Sequence, residues 1–227
     1  MWKDLLGLLV VPQCMACGQA LSRQEEITCT RCLTQLPQTD FHLSPQDNEL
    51  YRRLAGRVPI HGAASLFFFD KKGRFQKLIQ QLKYRHKPQV GSYLGRLYGH
   101  VLMDHSFLQS VEALVPVPLH PRKQRKRGYN QAEKIAQGFA QVTGIPVKNG
   151  LRRKKDTHSQ TQKRGGDRWA NVAEAFVCQE PLPSHILLVD DVVTTGATLE
   201  ACVRACLAAD TPPQKISLIS IGMARDA

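Results

Sequence analysis

Chemistry is densest between Ile186 and Thr198, where the chain reads ILLVDDVVTTGAT. An apolar run, Ile186 to Val189, ends in two adjacent carboxylates, Asp190 and Asp191. Two valines follow, then Thr194, Thr195, Gly196, Ala197 and Thr198, and then an alanine-rich helical pattern. That order predicts a buried parallel strand, a turn at its carboxyl end and a helix N-terminus. Backbone N–H groups and threonine hydroxyls there converge on an anion, and the helix dipole adds positive potential. Paired carboxylates just before such a cradle repel a bare phosphate. They suit a sugar-phosphate, whose ribose hydroxyls they bind directly or through a magnesium ion bridging hydroxyls and phosphates.

A second constellation runs from Leu114 through VPVP into LHPRKQRKRGYNQ, ending at Gln131. It predicts a short buried strand, Leu114 to Val117, a long basic turn, and a helix from about Asn130 to Val142. Ligands of open parallel α/β sheets bind at the carboxyl ends of the strands. The cations of this turn, Arg127 among them, then face the same edge as the 194–198 loop.

Cys14, Cys17, Cys29 and Cys32 form two C-x-x-C knuckles separated by eleven residues. Four thiolates at tetrahedral reach suit a structural Zn²⁺, and Gly18 permits the tight turn that points the first pair inward. Two disulfides and an iron–sulfur cluster are the alternatives that spacing leaves open. Cys178, Cys202 and Cys206 lie among apolar neighbours and read as reduced core or helix-face thiols.

The chain has 227 residues, room for one sizeable α/β domain and a small appendage. No apolar run is long enough to span a membrane. Leu5 to Val11 is short for a signal core, follows Asp4 and lacks a small-x-small cleavage site, so it reads as an amphipathic lead-in helix of a cytoplasmic protein. Lys and Arg number 31 against 19 acids, a net charge of +12. The excess is concentrated in two blocks, Arg122 to Arg127 and Arg152, Arg153, Lys154 and Lys155. Such blocks attract polyphosphates or nucleic acid. Aromatic residues are only 7% of the chain, and Tyr129 and Trp169 are the stacking candidates near the basic segments.

Further elements follow from periodicity: a strand over Ala63 to Phe69, an amphipathic helix over Gly73 to Tyr84, and a helix over Leu94 to Leu102. Strand-like segments are expected at Pro146 to Leu151, around Ala175 to Cys178, and at Ile216 to Ile221. A helix is expected from Ala197 to Ala208. Strands alternating with helices imply a parallel sheet with helices on both faces.

The ILLVDDVVTTGAT segment resembles, residue for residue, the phosphoribosyl pyrophosphate (PRPP) signature of type I phosphoribosyltransferases. The resemblance implies that Asp190 and Asp191 contact the ribose 2′- and 3′-hydroxyls, with or without magnesium, and that Thr194 to Thr198 hold the 5′-phosphate. Taken with the four-cysteine N-terminus, LKYRHKP near residue 82, VPVPLHPRKQRKRGYNQAEKIA and QTQKRGGDRWANVAEAF, the chain resembles the ComF/GntX family. Those proteins are associated with natural competence and the use of external DNA. By this resemblance residues 1–36 form the zinc-binding knuckle module, 37–60 a linker and 61–227 a phosphoribosyltransferase-like domain. It further implies that Arg127 to Gln131 form the pyrophosphate-side loop and that Arg152 to Asn171 form the mobile loop over the site, with Gly165 and Gly166 as its flexible points.

Phosphoribosyl transfer needs a stabilised departing pyrophosphate, exclusion of water and a held nucleophile. Arg127 and its neighbours serve the first need. No nucleophile-binding residue is legible, and Thr194 stands where hypoxanthine-guanine enzymes carry an aspartate. Two expectations result. One is a PRPP-binding protein that handles single-stranded DNA in uptake, with other uptake proteins as further partners. The other is an active phosphoribosyltransferase on a small nucleobase or nucleotide.

Overall fold

The computed structural model describes residues 11–70, 73–154 and 175–225. The lead-in helix expected at the N-terminus, Lys155, Gly165, Gly166 and Trp169 lie outside these residues, as does most of the 152–171 segment.

Four strands form one parallel sheet: β1 (Gly62–Phe69), β2 (Ala113–Pro116), β5 (His185–Val193) and β6 (Lys215–Ala224), in the order β1-β6-β5-β2. A separate antiparallel ribbon pairs β3 (Leu151–Arg153) with β4 (Phe176–Cys178). The helices are α1 (Thr30–Leu33), α2 (Glu49–Ala55), α3 (Arg74–Tyr84), α4 (Pro88–Leu102), α5 (Pro121–Arg127), α6 (Gln131–Thr143) and α7 (Ala197–Leu207).

The two-residue alternation of the central strands builds two cores. Leu187, Val189, Ile219 and Ile221 pack with α3, α4 and α6, while Ile186, Leu188, Ile216 and Leu218 pack with α2 and α7. Helices therefore cover both faces, and the central strands read as continuous apolar runs because neither face meets water. In α3 the residues Phe75, Leu78, Ile79 and Leu82 form the buried stripe. On the same face α4 and α6 cross backbone to backbone: a Cβ on Gly95 would overlap the Ile135 carbonyl oxygen, and one on Gly138 that of Ser92.

Four local readings change. The basic turn is the helix α5, started by Pro121 at its first turn with the His120 ring accepting from the Arg122 N–H, and stopped by Gly128 at φ 80°. The signature strand does not end before the carboxylates. Because β6 is longer than expected, pairing continues through Asp190 opposite Ser220 to Val193 opposite Met223. The segment after α6 pairs with β2 only at Val147, and the strand itself begins at Leu151. Residues 37–60 are structured: a 3-10 turn at Phe41–Leu43 and α2, whose Leu50 and Leu54 are fully buried.

Candidate functional site

Adjacent strands β5 and β2 hand the chain to opposite faces, β5 to α7 and β2 through α5 to α6. Their carboxyl ends are thus left with a crevice, the place where open α/β sheets take ligands. A cavity of about 280 Å³ lies there, walled by Lys83, Tyr84, Lys123, Arg127, Gln131, Arg153, Asp190, Asp191 and Thr198, among others. A smaller one of about 40 Å³ is lined by Asp190 and residues 192–199.

Gly196 caps α7 in the left-handed region at φ 81°, and a Cβ there would come within 2.8 Å of Leu54. Position 196 accordingly takes glycine for both backbone and space. The loop is braced from α2. Arg53 donates to the carbonyl oxygen of Thr194, and at 3.3 Å to that of Ala224, while Glu49 holds it at 2.7 Å. Arg57 Nη1 donates to the Thr195 carbonyl oxygen at 3.2 Å. In a trans peptide the N–H points opposite to the C=O, so these bonds turn the N–H groups of Thr195 and Gly196 away from α2. Thr194 and Thr195 are exposed and Ala197 and Thr198 half-buried.

The strand's alternation sends the two carboxylates to different sides. Asp191 follows Leu187 and Val189 toward α3, where Lys83 Nζ lies 3.0 Å from its Oδ1. Asp190 follows Ile186 and Leu188 and accepts the Asp191 N–H at 2.8 Å. Burial, then the Asp191 charge, push the Asp190 carboxyl up to about 7, against the Asp191 N–H and the Lys83 charge. Asp190 thus sits where a proton is readily exchanged near neutrality.

On the opposite wall, Arg127 Nη1 donates to Gln131 Oε1 at 2.8 Å, and its guanidinium lies 5.4 Å from the Tyr84 ring centroid. Gln131 is 2% exposed, and among the described residues its Nε2 has no partner. Asn130 caps α6, accepting the Ala132 N–H and donating to the Val117 carbonyl at 2.9 Å. The second basic block divides: Arg153 lies over Phe176 and lines the cavity, whereas Arg152 and Lys154 are exposed on the ribbon.

At the N-terminus the sulfurs of Cys14, Cys17, Cys29 and Cys32 all lie within 4.8 Å of one another. Cys17 and Cys29 are 3.8 Å apart, sulfur to sulfur. That is the edge of a tetrahedron built on Zn–S bonds of about 2.3 Å, and far longer than a disulfide, so all four thiols are free. Gly18 makes the first knuckle's turn at φ 82°, and the second straddles the start of α1, with Cys29 as its N-cap. Burial raises the Cys14 thiol, but N–H groups of Cys29, Ala16 and Cys17 outweigh it and bring it down to about 6. Burial and the three neighbouring thiols push Cys32 up. The four-cysteine group can therefore hold a structural metal ion such as zinc. It packs against α4, with Thr28 Oγ1 2.6 Å from the Tyr93 hydroxyl and Glu26 paired with Arg96 at 2.6 Å. Cys202 and Cys206 are core thiols kept protonated by burial.

Sequence reasoning reached the 190–198 loop, Arg127 and the cysteines. It missed Lys83 and Tyr84, although both stand in the quoted LKYRHKP motif. It put Gln131 in the pyrophosphate-side loop without a role for its buried amide, and it missed Arg53 and Arg57. The two arginines carry no signal, being more than 130 residues from the loop they hold.

No helix among the described residues is long and apolar enough to cross a membrane. No family model matches the chain. Over 131 residues it is 37% identical to competence protein F of Haemophilus influenzae, covering 54% of this chain and 57% of that protein. It is 33% identical over 135 residues to DNA utilization protein YhgH of Salmonella typhimurium, 57% of this chain and 60% of that one. The chain thus spans under two thirds of these two relatives. Competence protein ComFC of Bacillus subtilis is 25% identical over 216 residues, 91% of this chain and 82% of its own length. Relatives named competence protein F, DNA utilization protein YhgH and competence protein ComFC are consistent with the ComF/GntX resemblance of the chain's cysteine pairs, basic segment and carboxylate–threonine loop.

Proposed function

We propose that the protein binds PRPP in the crevice between β5 and β2, on a type I phosphoribosyltransferase-like domain, and acts in the uptake or utilisation of external DNA, binding single-stranded DNA. What carries the first half is one juxtaposition. A helix-start loop with its N–H groups turned from α2 lines one cavity, Arg127 and both carboxylates line a second, and Asp190, Val192 and Thr198 line both. The 5′-phosphate suits the loop, the ribose hydroxyls suit Asp190 and Asp191, and the pyrophosphate suits Arg127 and Lys123. The carboxylate oxygens are hard donors of the kind magnesium takes. Bound beside PRPP, that ion would supply charge neutralisation between hydroxyls and phosphates. A zinc ion on the four cysteines would be structural, since all its positions are filled by protein sulfur.

The names of the relatives support the DNA role, and the basic surface supports binding to the DNA phosphates. Calorimetry tests the ligand: PRPP with magnesium should bind the full chain and fail to bind the Asp190→Ala/Asp191→Ala variant, whose unfolding temperature stays close to wild type. Unaltered affinity in that variant would overturn the assignment.

A second reading, catalysed transfer to a small nucleobase or nucleotide, is favoured by Gln131. Its Nε2 is a buried donor without a partner among the described residues, in the wall of the same cavity, and it suits a base carbonyl or ring nitrogen. Pyrophosphate release measured across bases and nucleotides decides for or against it.

A further inference from the structure

Tyr84 is 68% exposed, the only aromatic among the large exposed hydrophobic residues described. It ends α3, where a polar residue would cost nothing, and no apolar neighbour covers it. One side of the ring is occupied by the Arg127 guanidinium at 5.4 Å. That guanidinium is not free to wander, because Gln131 Oε1 accepts from it at 2.8 Å. The corner itself is tied down: the His86 ring meets the Arg127 carbonyl oxygen at 3.2 Å, and the Tyr129 hydroxyl donates to the Leu82 carbonyl at 2.5 Å. A rigid ring backed by a cation, with its remaining surface open to water, is a stacking platform for another flat π system.

The charge around it selects the kind of ligand. Between Asp70 and Asp104 the chain carries eight Lys or Arg and no acid, and between Glu112 and Glu133 five and no acid. Those two segments meet at this corner. Arg85, His86 and Lys87 are exposed beside Tyr84, and Arg122, Lys123, Arg125 and Lys126 are exposed along α5. Lys123 also shares the cavity wall with Tyr84. The row of cations extends well past the reach of one phosphate, which suits a strand and exceeds what a mononucleotide needs. Single-strand binders combine these two parts, a basic track for the backbone and aromatic faces for the bases.

We infer that the α3–α4 corner and α5 form the single-stranded DNA site, with Tyr84 stacking one base and the α5 cations holding the flanking phosphates. This rests on the DNA-binding half of the proposed function and gives it a location at the α3–α4 corner and α5. Because Tyr84 and Arg127 also wall the crevice, a strand seated here crosses the mouth of the proposed PRPP site, and the two ligands exclude each other.

The test uses the full chain with fluorescently labelled oligothymidylate and an abasic strand of equal length, at low salt. Wild type should prefer the strand with bases. Tyr84→Ala should weaken oligothymidylate binding roughly tenfold, the value of one stacked base, and leave the abasic strand unchanged. Tyr84→Trp should keep the preference. The unfolding temperature of Tyr84→Ala, read by circular dichroism, should stay close to wild type, so that the loss reports the contact and not the fold. Undiminished oligothymidylate binding by Tyr84→Ala overturns the proposal, as does an equal loss on both strands. Wild type that binds neither strand defeats the DNA half of the proposed function itself, which is a different result.

Discussion

The cysteine module and the crevice are built in opposite ways. All four sulfurs come from nineteen consecutive residues, Cys14 to Cys32, and a turn and one helix start set their spacing. The crevice draws on Arg53, Lys83, Arg127, Arg153 and the 190–198 loop, brought together from five parts of the chain. A local site stands or falls as a unit and depends little on the rest. A dispersed site loses function by degrees as its supports are removed. The difference can be tested by cutting each site at one residue.

The largest effect is expected in the module. Cys29→Ser should release one zinc per chain, as read by elemental analysis. Structural zinc in small modules contributes about 10 kcal/mol or more, so hydrogen exchange across residues 11–36 should lose its protection. PRPP binding should persist, because the module docks on the outer side of α4. Loss of PRPP binding in this variant would break the comparison.

Next comes the brace under the loop. Arg53 is nearly buried, with side-chain exposure of 9%, and its removal leaves the Thr194 carbonyl without its donor. Arg53→Ala should cost about 2 kcal/mol of stability, the value of charge-assisted hydrogen bonds. It should weaken PRPP binding while Tyr84-dependent DNA binding remains. Denaturant unfolding and calorimetry read the two effects separately.

A smaller effect concerns pH. His185 is buried between Ser110 and Ser217, 3.0 and 2.9 Å from its two ring nitrogens. Burial first, then the His61 and Lys215 charges, hold it below its ordinary value. The unfolded chain then takes up a proton that the folded chain refuses, so this stability is complete above about pH 6.5 and falls as the pH drops below it. His185→Gln should flatten the unfolding free energy between about pH 7 and pH 5.

The smallest change in stability is expected from Lys83→Ala, since a partly exposed ion pair is worth about 0–1 kcal/mol. Its signature lies elsewhere. The Lys83 charge partly offsets the burial and the Asp191 charge that bring the Asp190 carboxyl up to about 7, so its removal should move the pH dependence of PRPP binding upward. An unmoved profile would separate Asp190 from that dependence.

How much could be read from the chain follows the same division. The cysteine pairs, the strand–loop–helix at 186–207 and the amphipathic stripe of α3 are contiguous patterns, each with its period or spacing written in neighbouring residues. The basic segment was legible as charge but not as a helix, because its start rests on a histidine ring and its stop on one glycine in the left-handed region. The length of β5 was misread because a strand's end depends on its partner, and β6 continues beyond it. Residue order settled the family of contacts each segment can make: which thiols cluster, which loop opens a helix, which surfaces are positive. Folding settled which segments meet. It alone put Asp190 and Asp191 on different sides of one strand, seated Lys83 against one of them, drew Arg53 beneath a loop 141 residues away and set Tyr84 over Arg127. Pairings of that kind are chosen by sheet order and helix packing, and no window of neighbouring residues contains them.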